Sequence, residues 1–372
     1  MEKSLSVTER SVGRRSLLKS GLLAGGAAIG AGLLGGSRQA FGQQVPESGP
    51  ISSGDKALLR FVAAAELIET DLWVQYTELG GLTPGQQPVE VDTGFTPMNS
   101  YQAAFMNLDS DGPQYISSNT LDEASHAAFL NAYLVSKNAE PVDLDVFRTL
   151  QGSKAKGAQN IGRLTNLMHL NVDTSWFIRY RSTTNPDFGV TYPQAVTIAN
   201  RTAIPVTDAD FDGADHIQVI ANTAAFHFGT IEQGGSSLYS TLSQKASSAE
   251  VLQILIGIGG DEVAHFLEWV DFAGNGVQPP IAPVSDSGLT FPNFFTMGSL
   301  FQPNLIFPVP AEFISPNLPR CAAIRPLTDQ FAGAGAVVAF LTAMNLFDGQ
   351  PPSFLRALQQ LADEADAAQR SC

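Results

Sequence analysis

Apolar residues recur at three- and four-residue intervals in four stretches of this chain: Asp55–Leu79, Thr120–Lys137, Asp212–Gln244 and Ser247–Phe272. None contains proline, so each predicts a long helix with one buried face. Two starts carry a further mark. Thr120 precedes Glu123 by three residues and Ser247 precedes Glu250 by three, the spacing of a capping box. The first two stretches are separated by a Gly/Pro-rich segment at Gly80–Ser100, which predicts a long loop. The second and third are separated by Asn138–Phe211, with short helices expected over Val142–Leu150, Ala158–Leu170 and Tyr192–Ala203. The third and fourth are joined by a very short turn. Beyond Phe272 the chain is rich in Pro and Phe to about Pro319, and then predicts two more helices, Leu327–Leu346 and Ser353–Gln369. The pattern is that of an all-α protein: four helices, a long crossover between the second and third, and a C-terminal helical extension.

Polar residues interrupt the apolar faces at a few positions. Glu123-Ala-Ser-His126 lies on the second helix and Glu262-Val-Ala-His265 on the fourth. Residues three apart are neighbours on one face of a helix, so each pair can aim an oxygen and a nitrogen at one point. The first and third helices each carry a single matching carboxylate. Glu66 has Trp73 seven residues on, and Glu232 has Tyr239 seven residues on. Seven residues is nearly two turns, so each acid shares a face with an aromatic ring. Buried carboxylates are costly unless they meet a counter-charge, and these acids point where the apolar side chains point.

Duller readings compete. Glu123 can serve only the capping box of Thr120, and Glu69 competes with Glu66, with Tyr76 at the same offset. His227 lies five residues before Glu232, off its face; His216 falls in the first turn of the third helix and His169 in the crossover. Asp261 and Glu268 flank the fourth-helix motif and are candidate acceptors for the ring N–H of a ligand imidazole. Gly229, Gly234 and Gly235 are unusual inside a helix, where each costs about 1 kcal/mol relative to alanine. Close packing or a local bulge near Glu232 would account for them.

Charge narrows the function. The 372 residues carry 21 basic and 36 acidic side chains. The first 42 hold six of the basic and two of the acidic ones, so a chain lacking them has 15 against 34, about −19. Such a field opposes binding to nucleic acid or anionic lipid and favours cations. The start of the chain has its own pattern: Arg14-Arg15, then Leu17-Leu18-Lys19, a weakly apolar Gly/Ala/Leu run, and Ala40-Phe41-Gly42. It resembles a twin-arginine export signal, the competing reading being a single membrane-anchoring helix. The expected organisation is a signal at 1–42, a linker at 43–54, a four-helix unit at 55–275 and the extension at 276–372. Cys321 and Cys372 are the two cysteines, and an exported protein can join them or leave them free.

One Glu from each of two helices plus Glu-x-x-His from each of the other two is similar to the ligand set of the ferritin-like superfamily. The closest pattern is that of exported ferritin-like domain proteins related to plant desiccation-related proteins. The resemblance covers about Asp55–Phe272 and matches poorly in the crossover. It implies a dinuclear centre of two iron ions, or alternatively two manganese ions, held by Glu66, Glu123, His126, Glu232, Glu262 and His265. It further implies folding before passage through the twin-arginine machinery, a periplasmic or extracellular location, and O2 or peroxide as the small oxidant of an oxidoreductase. The alternative is a structural, stress-protective helical protein of desiccation type without turnover. No Gly-rich phosphate loop, Gly-x-Ser-x-Gly elbow or His-Glu-x-x-His zinc helix is present.

Overall fold

A computed structural model of the chain describes residues 49–88, 94–179, 192–273, 281, 283–302, 308–323 and 333–371. The expected signal at 1–42, the first half of the linker and Cys372 lie outside the described residues.

The chain is mostly helical. Four long helices correspond to the four periodic stretches: α1 (Ser53–Gly80), α3 (Gly112–Ser136), α5 (Ala214–Ser243) and α6 (Ala249–Phe272). A helix that the Gly80–Ser100 loop did not announce, α2 (Ser100–Leu108), follows it and packs on α5. It is short and capped by the Asn99 side chain, which accepts from Gln102 N–H.

Two of the expected starts are displaced. α3 begins eight residues before Thr120, at Gly112, with Pro113 in the first turn, where proline's missing N–H breaks no bond. Thr120 is therefore mid-helix, donating to the Ile116 carbonyl and touching Thr77 Oγ1, so Glu123 is freed from any capping role. α6 is capped by Ser248, not Ser247: its hydroxyl accepts from Glu250 and Val251 N–H. The turn before it is held from outside, since Asp55 of α1 accepts from Ser247 and Ser248 N–H at 2.9 and 3.1 Å.

Cross-helix pairs fix the directions. Thr77 meets Thr120 while Glu66 meets His126, so α1 and α3 are antiparallel. Tyr76 meets His227 while Tyr239 meets Glu66, so α1 and α5 are antiparallel as well. Asn119 meets Trp269 while Tyr133 meets Glu250, so α3 and α6 are also antiparallel. Because α3 and α5 both run against α1, the connection between them must carry the chain back to the end from which α3 started. That geometry requires a long crossover, and residues 137–213 provide it.

The crossover is not helical in the way its pattern suggested. The first expected helix shrinks to a single 3₁₀ turn at Asp145–Phe147, and the other two segments form strands. β1 (Leu150–Gln151) pairs with β2 (Gly162–Arg163), and β3 (Leu170–Val172) pairs with β4 (Ile198–Arg201). A four-residue helix, α4 (Trp176–Arg179), lies between β3 and β4. For the second segment the buried carboxylate of Asp71 on α1 explains the outcome. It accepts from Leu164 N–H, Thr165 N–H and the Thr165 hydroxyl, and from Arg148, which pins the backbone extended where a helix would have used those N–H groups internally.

After α6 the chain forms a hairpin, β5 (Val284–Asp286) with β6 (Leu289–Phe291), packed on α5. Its two-residue turn, Ser287-Gly288, has positive φ at both residues, +48° and +81°, which suits the strand twist. Two helices close the chain, α7 (Ala334–Ala343) and α8 (Pro352–Asp366). α8 lies along α1, and Asp366 at its end accepts from Ala334 and Gly335 N–H, capping α7. No described helix is long and apolar enough to cross a membrane.

Candidate metal centre

All six side chains singled out by spacing converge between the four long helices. Glu66, Glu123, Glu232 and Glu262 are completely buried, and His126 and His265 retain 8% and 5% exposure. His126 Nδ1 lies 3.2 Å from Glu66 Oε2 and 3.4 Å from Glu123 Oε2. His265 Nδ1 lies 3.1 Å from Glu123 Oε1 and 3.3 Å from Glu232 Oε2. Glu123 thus turns one oxygen to each imidazole. Two donor groups result: Glu66, Glu123, His126 and Glu262 in one, and Glu123, Glu232 and His265 in the other, with donor atoms in each within 4.8 Å of one another. Either group could hold a metal ion. Glu66 takes the position for which Glu69 competed, although Glu69 is close enough that the charges of Glu123, Glu66 and Glu232, after burial itself, hold its carboxyl well above the ordinary range.

The outer nitrogens are held crosswise. His126 Nε2 lies 3.1 Å from Asp261 Oδ2, and His265 Nε2 lies 3.3 Å from Asp122 Oδ2. Each aspartate immediately precedes the glutamate of one motif and takes the imidazole of the other. With Nε2 given to the aspartate, Nδ1 is the nitrogen turned to the carboxylates, where a metal ion would take the place of its proton. Asp261 was anticipated in this role and Asp122 was not. The missed signal was visible, because both motifs read Asp-Glu-x-x-His, and the repeat extends one residue further than its ligands. Glu268 does not share the role, since His265 takes Asp122 instead.

Neighbouring residues position the acids. The Tyr239 hydroxyl donates to Glu66 Oε1. Asn119 Nδ2 donates to Glu232 Oε1 at 2.9 Å and reaches Glu123 Oε1 at 3.4 Å, while its Oδ1 accepts from Trp269 Nε1. Two of the three helical glycines have steric causes. A Cβ on Gly235 would stand 2.0 Å from Glu262 Oε2, and one on Gly229 would stand 2.3 Å from the Trp176 indole; Gly234 has nothing within 4 Å. His227 is directed away from the acids, to Tyr76 and Met344, and His216 bridges Asp210 and Asp286 on the surface.

The electrostatics describe a set of acids short of positive charge. Burial, then the Glu123 charge, pushes Glu66 up to about 8. Burial also drives Glu262 far up, helped by Glu123, Glu69, Glu232 and Glu66. Glu123 goes the other way, down to about 2, because the hydrogen bond from His126 and the charge of the neighbouring His265 ring outweigh its burial. His126 rises to about 12 against the effect of burial, carried by Asp261, Glu123 and Glu66. Hydrogen bonding still leaves gaps. Glu232 Oε2, both oxygens of Glu262 and His265 Nδ1 are buried without a hydrogen-bond partner. His265 Nδ1 lies near two carboxylate oxygens but is not aligned to bond either, the arrangement of atoms that share a third partner and not each other. An orphaned buried carboxylate is unfavourable by several kcal/mol, and a cation in each of the two donor groups would give these atoms partners.

No family model, curated protein or solved structure matches this chain.

Proposed function

We propose that this is a ferritin-like four-helix protein that binds a dinuclear iron or manganese centre and acts as an oxygen- or peroxide-reactive oxidoreductase after export. One observation carries the reading: four orphaned buried donor atoms on Glu232, Glu262 and His265 stand among six donor residues supplied by four separate helices. The donor set suits hard or borderline divalent ions, with carboxylates to balance charge and one imidazole for each ion. Glu66, His126 and Glu262 would hold one ion and Glu232 and His265 the other, with Glu123 within reach of both groups. When bound, such a pair supplies redox equivalents for reduction or disproportionation of a small oxidant. The chain's residues do the rest: Asp122 and Asp261 fix the imidazoles, Tyr239 and Asn119 orient Glu66 and Glu232, and the surrounding aromatic core excludes water.

The twin-arginine-like start supports export with the metal already inserted. Elemental analysis of the purified full chain tests the centre. Two equivalents of iron or manganese per chain are expected, falling to one or fewer in His265→Ala. No bound transition metal after reconstitution would refute it. Peroxide turnover with release of O2 would then separate a catalase-like activity from an oxidase.

A structural reading is favoured by a different observation. The described residues of the C-terminal extension supply no donor to the centre and serve as cover, with α8 on α1 and residues 344–350 hydrogen-bonded to the crossover. A protective protein needs such packing and no turnover. Absence of both metal and peroxide activity would favour it.

A further inference from the structure

A line of oxidisable side chains leaves the centre on one side. Trp269 Nε1 donates to Asn119, the residue that holds Glu232 and Glu123. The Trp269 ring stacks on Trp73, with centroids 5.4 Å apart and planes 22° from parallel. Trp73 is 5.8 Å from the Tyr76 ring, and Phe228 packs against all three. The line ends where the Tyr76 hydroxyl lies 2.7 Å from His227 Nδ1. All four relay side chains, Trp269, Trp73, Tyr76 and His227, are completely buried.

Packing alone does not ask for this chemistry. An apolar core is filled as well by Phe and Leu, without the N–H and O–H groups that need partners. Trp73 Nε1 in fact has none. The histidine is also set up to receive a proton. Burial lowers its basicity to about 3, so it is neutral, and its Nε2 lies 3.2 Å from Met344 Sδ, a weak acceptor. An N–H on that side leaves Nδ1 with a free lone pair facing the tyrosine hydroxyl.

We propose that Trp269, Trp73 and the Tyr76–His227 pair form an electron relay that draws oxidising equivalents away from the metal ligands and rests them on Tyr76. The step balances as follows. Tyr76 loses one electron, and its phenolic proton crosses to His227 Nδ1, leaving a neutral tyrosyl radical beside an imidazolium. The electron passes through Trp73 and Trp269 to hydrogen peroxide at the carboxylate end, where two such electrons and two solvent protons turn one peroxide into two waters. A small one-electron donor of the thiol or ascorbate class restores Tyr76 as the proton returns from His227. The function is protective: a hole left at the centre would otherwise oxidise Glu or His ligands, whereas a buried tyrosine with a proton acceptor holds it reversibly.

The proposal rests on the metal-centre reading, and the test separates the two. The full chain is reconstituted with iron, its metal content is measured, and it is frozen at intervals after addition of hydrogen peroxide for electron paramagnetic resonance. A tyrosyl signal is expected that narrows when the protein contains ring-deuterated tyrosine. It should be lost in Tyr76→Phe and should form at least about tenfold more slowly in Trp73→Phe, both with unchanged metal content. His227→Gln, on the far side of Tyr76 from the metal donors, gives a second variant if one of the others folds poorly; it removes the proton acceptor and should likewise suppress the signal. Two ions bound with no tyrosyl signal, or a signal unaltered by Tyr76→Phe, overturns the relay alone. Failure to bind metal overturns the centre and the relay together.

Discussion

Glu262 has two buried oxygens without a donor, packed within reach of Glu123, Glu66 and His126. Its substitution should therefore change sign with metal. In the metal-free protein Glu262→Gln removes an unfavourable buried acid and is expected to raise the thermal midpoint, by the equivalent of roughly 1–3 kcal/mol. With iron or manganese present the same change should abolish most of the metal-induced gain, measurable by calorimetry with and without chelator. The adjacent glycines make a second contrast. Gly235→Ala puts a methyl 2.0 Å from Glu262 Oε2 and should lower metal stoichiometry, although alanine is the better helix former. Gly234→Ala meets nothing within 4 Å and should stabilise the helix by up to about 1 kcal/mol with metal binding intact. The sequence showed both glycines as anomalies. It could not show which one faced a carboxylate, because that depends on how α5 and α6 are rotated against each other.

At the scale of elements, side chains from distant parts of the chain close what local sequence leaves open. Asp55 holds the α5–α6 turn, Asp71 holds the crossover and Asp366 caps α7. His216 joins two elements in the same way, between Asp210 before α5, at 3.0 Å, and Asp286 of β5, at 2.8 Å. Its basicity is raised from 6.5 by the Asp286 hydrogen bond, which together with Asp210 outweighs burial. A histidine whose folded-state pKa is raised contributes stability that is complete below 6.5 and fades as the pH rises through the higher folded value. Both aspartates are shifted down, so their share is lost only in acid. The hairpin is expected to be held most firmly in mildly acidic solution and to loosen on going alkaline. Hydrogen exchange of the β5–β6 amides should accelerate over that range beyond the intrinsic pH effect, and His216→Gln should remove the extra pH dependence. None of this was legible from periodicity, since His216, Asp210 and Asp286 share no motif.

For the molecule as a whole, the proposed centre would couple metal to stability. Without metal, Glu66 titrates at about 8 in place of 4.5, so the folded state holds a proton that the unfolded chain has released. The stability of the metal-free protein should therefore fall as the pH rises from 4.5 through about 8. Bound cations replace that proton. Metal should raise the thermal midpoint, by about 2.7 kcal/mol per site at a hundredfold excess over Kd, and should flatten the pH dependence. Denaturation scans of chelated and reconstituted protein at several pH values check both statements; no metal-dependent difference at any pH would contradict them. What the sequence determined by itself was the four long helices and the six side chains that converge between them. Helical periodicity and Glu-x-x-His spacing are local properties, and a carboxylate on an apolar face declares its own need for a partner. The tertiary structure alone decided where α3 begins, that the crossover is stranded, that Asp122 and Asp261 exchange histidines, and that two tryptophans join Asn119 to a buried Tyr–His pair. Each of these depends on groups brought together from separate helices, and their distances follow from how the helices pack.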